Sequence, residues 1–210
     1  MYIAVARMQT RTLDVAGRRD GAGMSDFERS LEDSLAMMES LRAMSGLLRN
    51  CADRCLAALN RGGKLLICGN GGSAAQAQHL TGELVGRYKK SRRPLAAITL
   101  GADASVLTCI GNDYRFEEIF ARQVRALGRP GDVLIALTTS GRSPDVLEAL
   151  RAAREMGMET IAFLGGDGGA ALPLSDSALV VGHADTARIQ EGHQFLMHCL
   201  MELIEAGVKD

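Results

Sequence analysis

Between residues 27 and 60 the apolar positions Leu31, Leu35, Met38, Leu48, Cys55, Leu56 and Leu59 recur at steps of three and four. That is the period of a helix with one buried face. Ser45-Gly46 interrupts the run, so the segment reads as helix, break, helix. Its start is marked by Ser25-Asp26-Phe27-Glu28, the serine-to-glutamate spacing of a capping box. After Gly62-Gly63 the pattern changes to short apolar runs at 64–68, 95–100, 132–137, 158–164 and 178–181. Runs apolar at nearly every position are what strands covered on both faces require. Helical stretches at 73–87, 117–127 and 143–156 separate them, and an amphipathic helix runs from about residue 187 to 205. The alternation predicts an α/β fold: a doubly wound, five-stranded parallel sheet in a flavodoxin-like three-layer sandwich, preceded by a helical segment. Such sheets bind ligands at the carboxyl ends of their strands.

Residues 1–23 carry Arg7, Arg11, Arg18 and Arg19 against Asp14 and Asp20, lack a clear apolar period, and end in Gly21-Ala22-Gly23. They read as a disordered extension, which leaves 24–210 as the folded domain with Met24 as its natural start. The 210 residues are 47% hydrophobic and 23% charged, a balance suited to one domain with one well-buried core. With 24 basic and 25 acidic residues, no global field favours nucleic acid or an anionic membrane, so an anionic ligand must be held locally. The five cysteines are scattered and odd in number, which fits a reducing cytoplasm rather than a disulfide framework. No apolar run approaches the roughly 18 to 20 residues of a spanning helix.

The first strand of the sheet runs into Cys68-Gly69-Asn70-Gly71-Gly72-Ser73-Ala74, and a helix follows at once. Glycines let the backbone approach an anion, and a helix N-terminus offers unpaired N–H groups. Gly69, Gly71 and Ala74 also satisfy the dinucleotide pattern, so a nucleotide cofactor competes at this point. The third strand favours a compact phosphate, because it runs into the hydroxyl-rich turn Thr138-Thr139-Ser140-Gly141-Arg142-Ser143-Pro144. A dinucleotide site has no use for that second turn. Ser143 before Pro144 is also a good helix cap.

These stretches, with Gln78-His79, Glu83 and Arg87, Ile110-Gly111-Asn112-Asp113-Tyr114, Arg188-Ile189-Gln190-Glu191-Gly192-His193 and His198, resemble the phosphosugar-isomerase (SIS) domain family. Within it the chain resembles the sedoheptulose-7-phosphate isomerases over about residues 25–207. The resemblance implies a substrate-binding set of Asn70, Gly71, Gly72, Ser73, Glu83, Asn112, Asp113, Thr138, Thr139, Ser140, Ser143 and Gln190. Thr138 stands where many relatives have Ser, which keeps the hydroxyl.

His79 and Glu83 lie four residues apart on one helix face, two turns past the phosphate-binding terminus. Such a pair either shares a metal or proton or is a solvated polar pair. The resemblance assigns His79, Glu83, Gln190 and His198 a metal role, typically zinc, one ion per subunit. Gln190 and His198 are about 12 Å apart along one helix. If both serve one site, ligands from more than one chain are expected, in a homotetramer with sites where subunits meet. His193, three residues past Gln190, reads as a structural hydrogen-bonding histidine.

Isomerising a ketose phosphate to an aldose phosphate needs a placed base. Glu83 is expected to be that base and His198 its acid/base partner. The implied reaction is D-sedoheptulose 7-phosphate to D-glycero-D-manno-heptose 7-phosphate. The rival is a non-catalytic SIS-domain binding protein resembling the bacterial replication-initiator-associating protein. Such proteins tend to lack the carboxylate and histidine matching Glu83 and His198, and this chain has both.

Overall fold

The computed structural model describes residues 25–208 and, as backbone, residues 2–7. Six strands form one parallel sheet in the order β1-β6-β5-β4-β2-β3: β1 (Tyr2–Arg7), β2 (Leu65–Gly69), β3 (Ala97–Thr99), β4 (Val133–Thr138), β5 (Glu159–Gly165) and β6 (Ser177–Gly182). The five predicted strands are β2 to β6, with ends shifted by a few residues. The sixth corrects the sequence reading, which placed Tyr2–Arg7 in a disordered extension; these residues pair in parallel with β6 from Tyr2↔Ser177 to Arg7↔Gly182. Its run Tyr-Ile-Ala-Val suits a strand, and β6 offers an otherwise unpaired edge to receive it. The rest of the predicted extension lies outside the described residues.

The helices are α1 (Asp26–Ser40), α2 (Ser45–Asn60), α3 (Gly72–Val85), α4 (Ala104–Asp113), α5 (Ala121–Leu127), α6 (Pro144–Glu155) and α7 (Thr186–Gly207). The capping box forms as the sequence requires: Ser25 Oγ accepts from the Glu28 amide, and Glu28 Oε2 accepts from the Ser25 amide at 2.8 Å. The break between the first two helices is a 3₁₀ turn at Leu41–Met44, earlier than Ser45-Gly46, which already belongs to α2. Helix α4 was not anticipated. Asp103 caps it by accepting from the Ser105 and Val106 amides.

Alternate residues of each strand feed two apolar layers. Leu65, Ile67, Val133, Ile135 and Leu137 pack with α1, α2, α3 and α7, while Leu66, Cys68, Leu134 and Ala136 pack with α4, α5 and α6. Period-two alternation on a sheet covered on both sides explains why the strands read as unbroken apolar runs. The chain leaves β2 towards β3 and leaves β4 in the opposite direction, towards β5. The two departures open a crevice beyond the carboxyl ends of β2 and β4, the topological switch point where doubly wound sheets bind ligands.

Candidate active site

The crevice is lined by the two turns that the sequence singled out, brought side by side because β2 pairs with β4 as far as Gly69↔Leu137. In the first turn Gly71 has φ +53°, a conformation that L side chains rarely adopt. Gly72 opens α3, and a Cβ there would lie 2.5 Å from Gln190 Nε2. The amide of Gln190 therefore rests on this turn, and only glycine leaves it room. Ser73 is buried beneath.

In the second turn Thr138 Oγ1 lies 3.1 Å from Ser143 Oγ and 3.5 Å from Ser140 Oγ, and it accepts from the Gly141 amide at 3.2 Å. Ser143 stands at the N-cap of α6 yet makes no capping bond, because its hydroxyl turns towards Thr138. Two helix N-termini and several hydroxyls thus face one crevice, a neutral dipolar cradle for an anion. Asn70 Nδ2 donates to Asp145 Oδ1 at 3.0 Å. Asp145 is buried, and that burial raises its pKa against the lowering effect of the bonds from Asn70 and the Val146 amide.

A second cluster lies farther along α3. Glu83 Oε1 is 3.0 Å from His79 Nε2 and 3.6 Å from His198 Nε2. Helices α3 and α7 run side by side in the same direction, so that Gly72 meets Gln190, Glu83 meets His198 and Lys89 meets Glu202. The His79 and His198 rings meet edge to face at 5.3 Å, and Tyr88 stacks on His198 at 5.9 Å. Glu83 is 14% exposed, between two half-open imidazoles. Its Oε2 is buried without a hydrogen-bond partner. One ligand atom from each of His79, Glu83 and His198 falls within 4.8 Å of the others. Two imidazoles and a carboxylate oxygen free of other bonds form a donor set that can hold a metal ion.

Glu83 and His198 meet within a single chain, so this pair does not need ligands from two subunits; the parallel packing of α3 on α7 was not visible from spacing along α7 alone. Gln190 does not join the group, because its side chain lies at Gly72. Gln194, one turn further on, donates to His198 Nε2 at 2.9 Å and stands 3.4 Å from Gln76 Nε2. Asn112 and Asp113 end α4, exposed, and bond to each other at 2.7 Å; no hydrogen bond among the described residues joins them to either turn. Thr139 is half-buried and Ser140 exposed at the crevice. His193 is wholly buried, with Nε2 3.0 Å from the Leu164 carbonyl oxygen, and burial pushes its pKa down to about 4.

Sequence reasoning assigned no role to Gln76, Tyr88, Asp145 or Gln194. The i,i+4 spacing of Gln194 and His198 was a usable signal; for the others, contacts between distant segments decide. Among the described residues no helix is long and apolar enough to cross a membrane.

Comparison with known proteins agrees with this fold. The SIS domain family matches residues 26–165. A phosphoheptose isomerase of Helicobacter pylori strain P12 is 50% identical over 170 residues, covering 81% of this chain and 88% of the relative. One from Pelobacter propionicus is 48% identical over 186 residues, covering 88% of this chain and 98% of the relative. Among solved structures, a phosphoheptose isomerase from Neisseria gonorrhoeae superposes with TM-score 0.80 at 42% identity, covering 85% of this chain and 96% of that one. Another from Francisella tularensis gives TM-score 0.83 at 37% identity, covering 87% and 100%. The chain is an isomerase that belongs to the SIS-domain family and, within it, to the phosphoheptose isomerases.

Proposed function

We propose that the chain converts D-sedoheptulose 7-phosphate to D-glycero-D-manno-heptose 7-phosphate in the cytoplasm, as the first step of heptose synthesis for lipopolysaccharide or related surface glycans. Residues 24–210 are the phosphosugar isomerase domain. The observation that carries the reading is the contact of Glu83 with both His79 and His198, on the helix whose N-terminus opens the phosphate crevice.

The phosphate is held by the Asn70-Gly71-Gly72-Ser73 turn and by the hydroxyls of Thr138, Thr139, Ser140 and Ser143, with Gln190 beside them. Asn112 and Asp113 complete the substrate-binding set on the exposed end of α4. The Glu83 carboxylate removes the proton from C1 of the ketose, and the C1–H electron pair becomes the C1–C2 double bond of an enediolate. His198 gives a proton to the C2 oxygen and takes one from the C1 hydroxyl. As the C1 carbonyl forms, Glu83, whose captured proton exchanges with solvent while the enediol lasts, delivers a proton to C2, which yields the aldose. Base and acid act on neighbouring atoms, so their short separation is what the reaction needs.

Zinc, one per subunit, suits His79, Glu83 and His198, and when bound it supplies polarisation of the substrate carbonyl. Gln190, the fourth ligand that the family resemblance suggests, would have to come from a neighbouring subunit, because within the chain its side chain lies at Gly72. The exposed Phe27, Leu31 and Leu35, spaced four residues apart on α1, and Phe195 on α7 support a homotetramer whose interfaces border the sites, since closed symmetric assembly buries such faces.

The test is incubation of the pure protein with sedoheptulose 7-phosphate, followed by NMR with and without chelator. Appearance of the aldose 7-phosphate is expected, with loss of rate on chelation. Binding without turnover would instead indicate a sugar-phosphate binding protein.

A further inference from the structure

Beyond the residues that face the substrate, one buried ion pair ties together the three segments that make the acid/base cluster. The Arg92 and Glu205 side chains are each 4% exposed, with Arg92 Nε 3.6 Å from Glu205 Oε1. Arg92 Nη2 donates to the carbonyl oxygen of Glu83 at 2.6 Å, and Nη1 to that of Leu84 at 2.9 Å. Glu205 Oε2 accepts from the backbone amides of Lys89 and Lys90 at 3.1 and 3.0 Å. The pair therefore grips the end of α3 that bears Glu83, the loop that bears Tyr88, and α7, which bears His198.

Closing the helix does not by itself require this pair. The Gly86 amide already bonds to the Gly82 carbonyl at 2.9 Å, and Leu84 O already receives the Leu95 amide at 3.0 Å. What Arg92 adds is a bond to the backbone of Glu83 itself. Burying two charges carries a desolvation penalty that an apolar pair of the same volume avoids, whereas a planar guanidinium fixes several acceptors in one geometry. That trade favours position over stability.

We propose that Arg92 and Glu205 are a positioning pair, which sets the Glu83 carboxylate against His198 and holds Tyr88 on the His198 ring. This rests on the assignment of Glu83 and His198 as the acid/base pair. Neither residue touches the substrate; both act through the backbone.

The test uses the full chain and two variants. Arg92→Lys keeps the charge and loses the forked donors, while the double variant Arg92→Met/Glu205→Gln removes both buried charges and keeps an acceptor for the loop amides. Ile161→Val, in the sheet core, serves as a control for simple loss of stability. Thermal unfolding, kcat and KM for sedoheptulose 7-phosphate, and the histidine ring resonances of ¹³C-histidine-labelled protein are measured on each. A misplacement of about 1 Å in a reacting group can cost on the order of 10²-fold in rate. The folded variants are therefore expected to lose at least about tenfold in kcat, with KM within about threefold of wild type. The resonances of His79 and His198 should shift, while those of His183 and His193 stay. Wild-type kcat and unmoved resonances in either folded variant would overturn the proposal, as would a loss of kcat no larger than that of Ile161→Val at equal Tm. If the wild-type protein shows no turnover, the isomerase reading fails, and the resonances alone still decide whether the pair positions the cluster.

Discussion

The two regions of α3 are built from different materials. Its N-terminal end faces the crevice with glycines, a helix terminus and the hydroxyls of a neighbouring turn, where the Asp145 carboxylate is buried and bonded to Asn70. Eleven residues on, the same helix presents Glu83 between two imidazoles. A phosphate keeps its charge throughout the reaction, so fixed dipoles suffice to hold it. Moving a proton requires groups that can take one up and release it, which a carboxylate and histidines can do. On the proposed function, one helix separates phosphate binding from chemistry along its length.

That division can be broken at either end. The largest effect is expected at the ionisable end: Glu83→Gln and His198→Ala should each lower kcat by at least about 10²-fold, the scale of a general acid or base, while circular dichroism and sugar-phosphate binding stay near wild type. Wild-type rates in both would remove the assignment. Mixing the two inactive proteins after mild dissociation and reassembly should restore no activity, because Glu83 and His198 of one chain share a site. Recovery would show that the pair is assembled across subunits.

A further imidazole, that of His193 on α7, sharpens the contrast, since it lies five residues before His198 and belongs to neither end. Its pKa is depressed in the fold, so it favours stability at neutral pH. That contribution is whole above the unfolded value of about 6.5 and is lost as pH falls towards about 4, amounting to about 3 kcal/mol across the window. His193→Gln, which keeps a donor for the Leu164 carbonyl, should flatten the dependence of unfolding free energy on pH between 6.5 and 4. Denaturant titrations at several pH values check this; an unchanged slope would place the acid sensitivity elsewhere.

The smallest effect is expected at the dipolar end, where Ser73→Ala or Ser140→Ala each removes one hydroxyl from a cradle of several. A hydrogen bond to a charged group contributes about 1.5 to 3 kcal/mol, and neighbouring donors offset part of the loss, so roughly a tenfold weakening is expected. Calorimetry with the phosphorylated and unphosphorylated ketose separates the cases. Equal losses for both ligands would show that the turns do not meet the phosphate.

The same division governs what the sequence made legible. The phosphate turns are contiguous, each a strand end joined to a helix start, and glycine and hydroxyl spacing marks them directly. The strands were legible because burial on both faces leaves continuous apolar runs. Helix α4 is less legible, because in sequence its only start signal is the single cap residue Asp103 before a short run. Tyr2–Arg7 was misread because arginines nearby outweighed its β-rich run. The ionisable cluster was half legible: His79 and Glu83 follow from i,i+4 spacing, but their meeting with His198 depends on how α3 lies along α7. No spacing within one helix carries that information, nor does it show that the Gln190 side chain rests on Gly72 or that Arg92 and Glu205 meet.

The most direct measurement of the central claim is proton exchange in D₂O. Wild-type protein given sedoheptulose 7-phosphate is expected to yield an aldose 7-phosphate carrying deuterium at C2, and to return ketose with deuterium at C1, both seen by NMR. Glu83→Gln, still binding the sugar phosphate, is expected to leave the ketose unlabelled over the same time. Deuterium entering at the wild-type rate in the Glu83→Gln protein, or product formed by the wild type with no exchange from solvent at either carbon, would contradict the account.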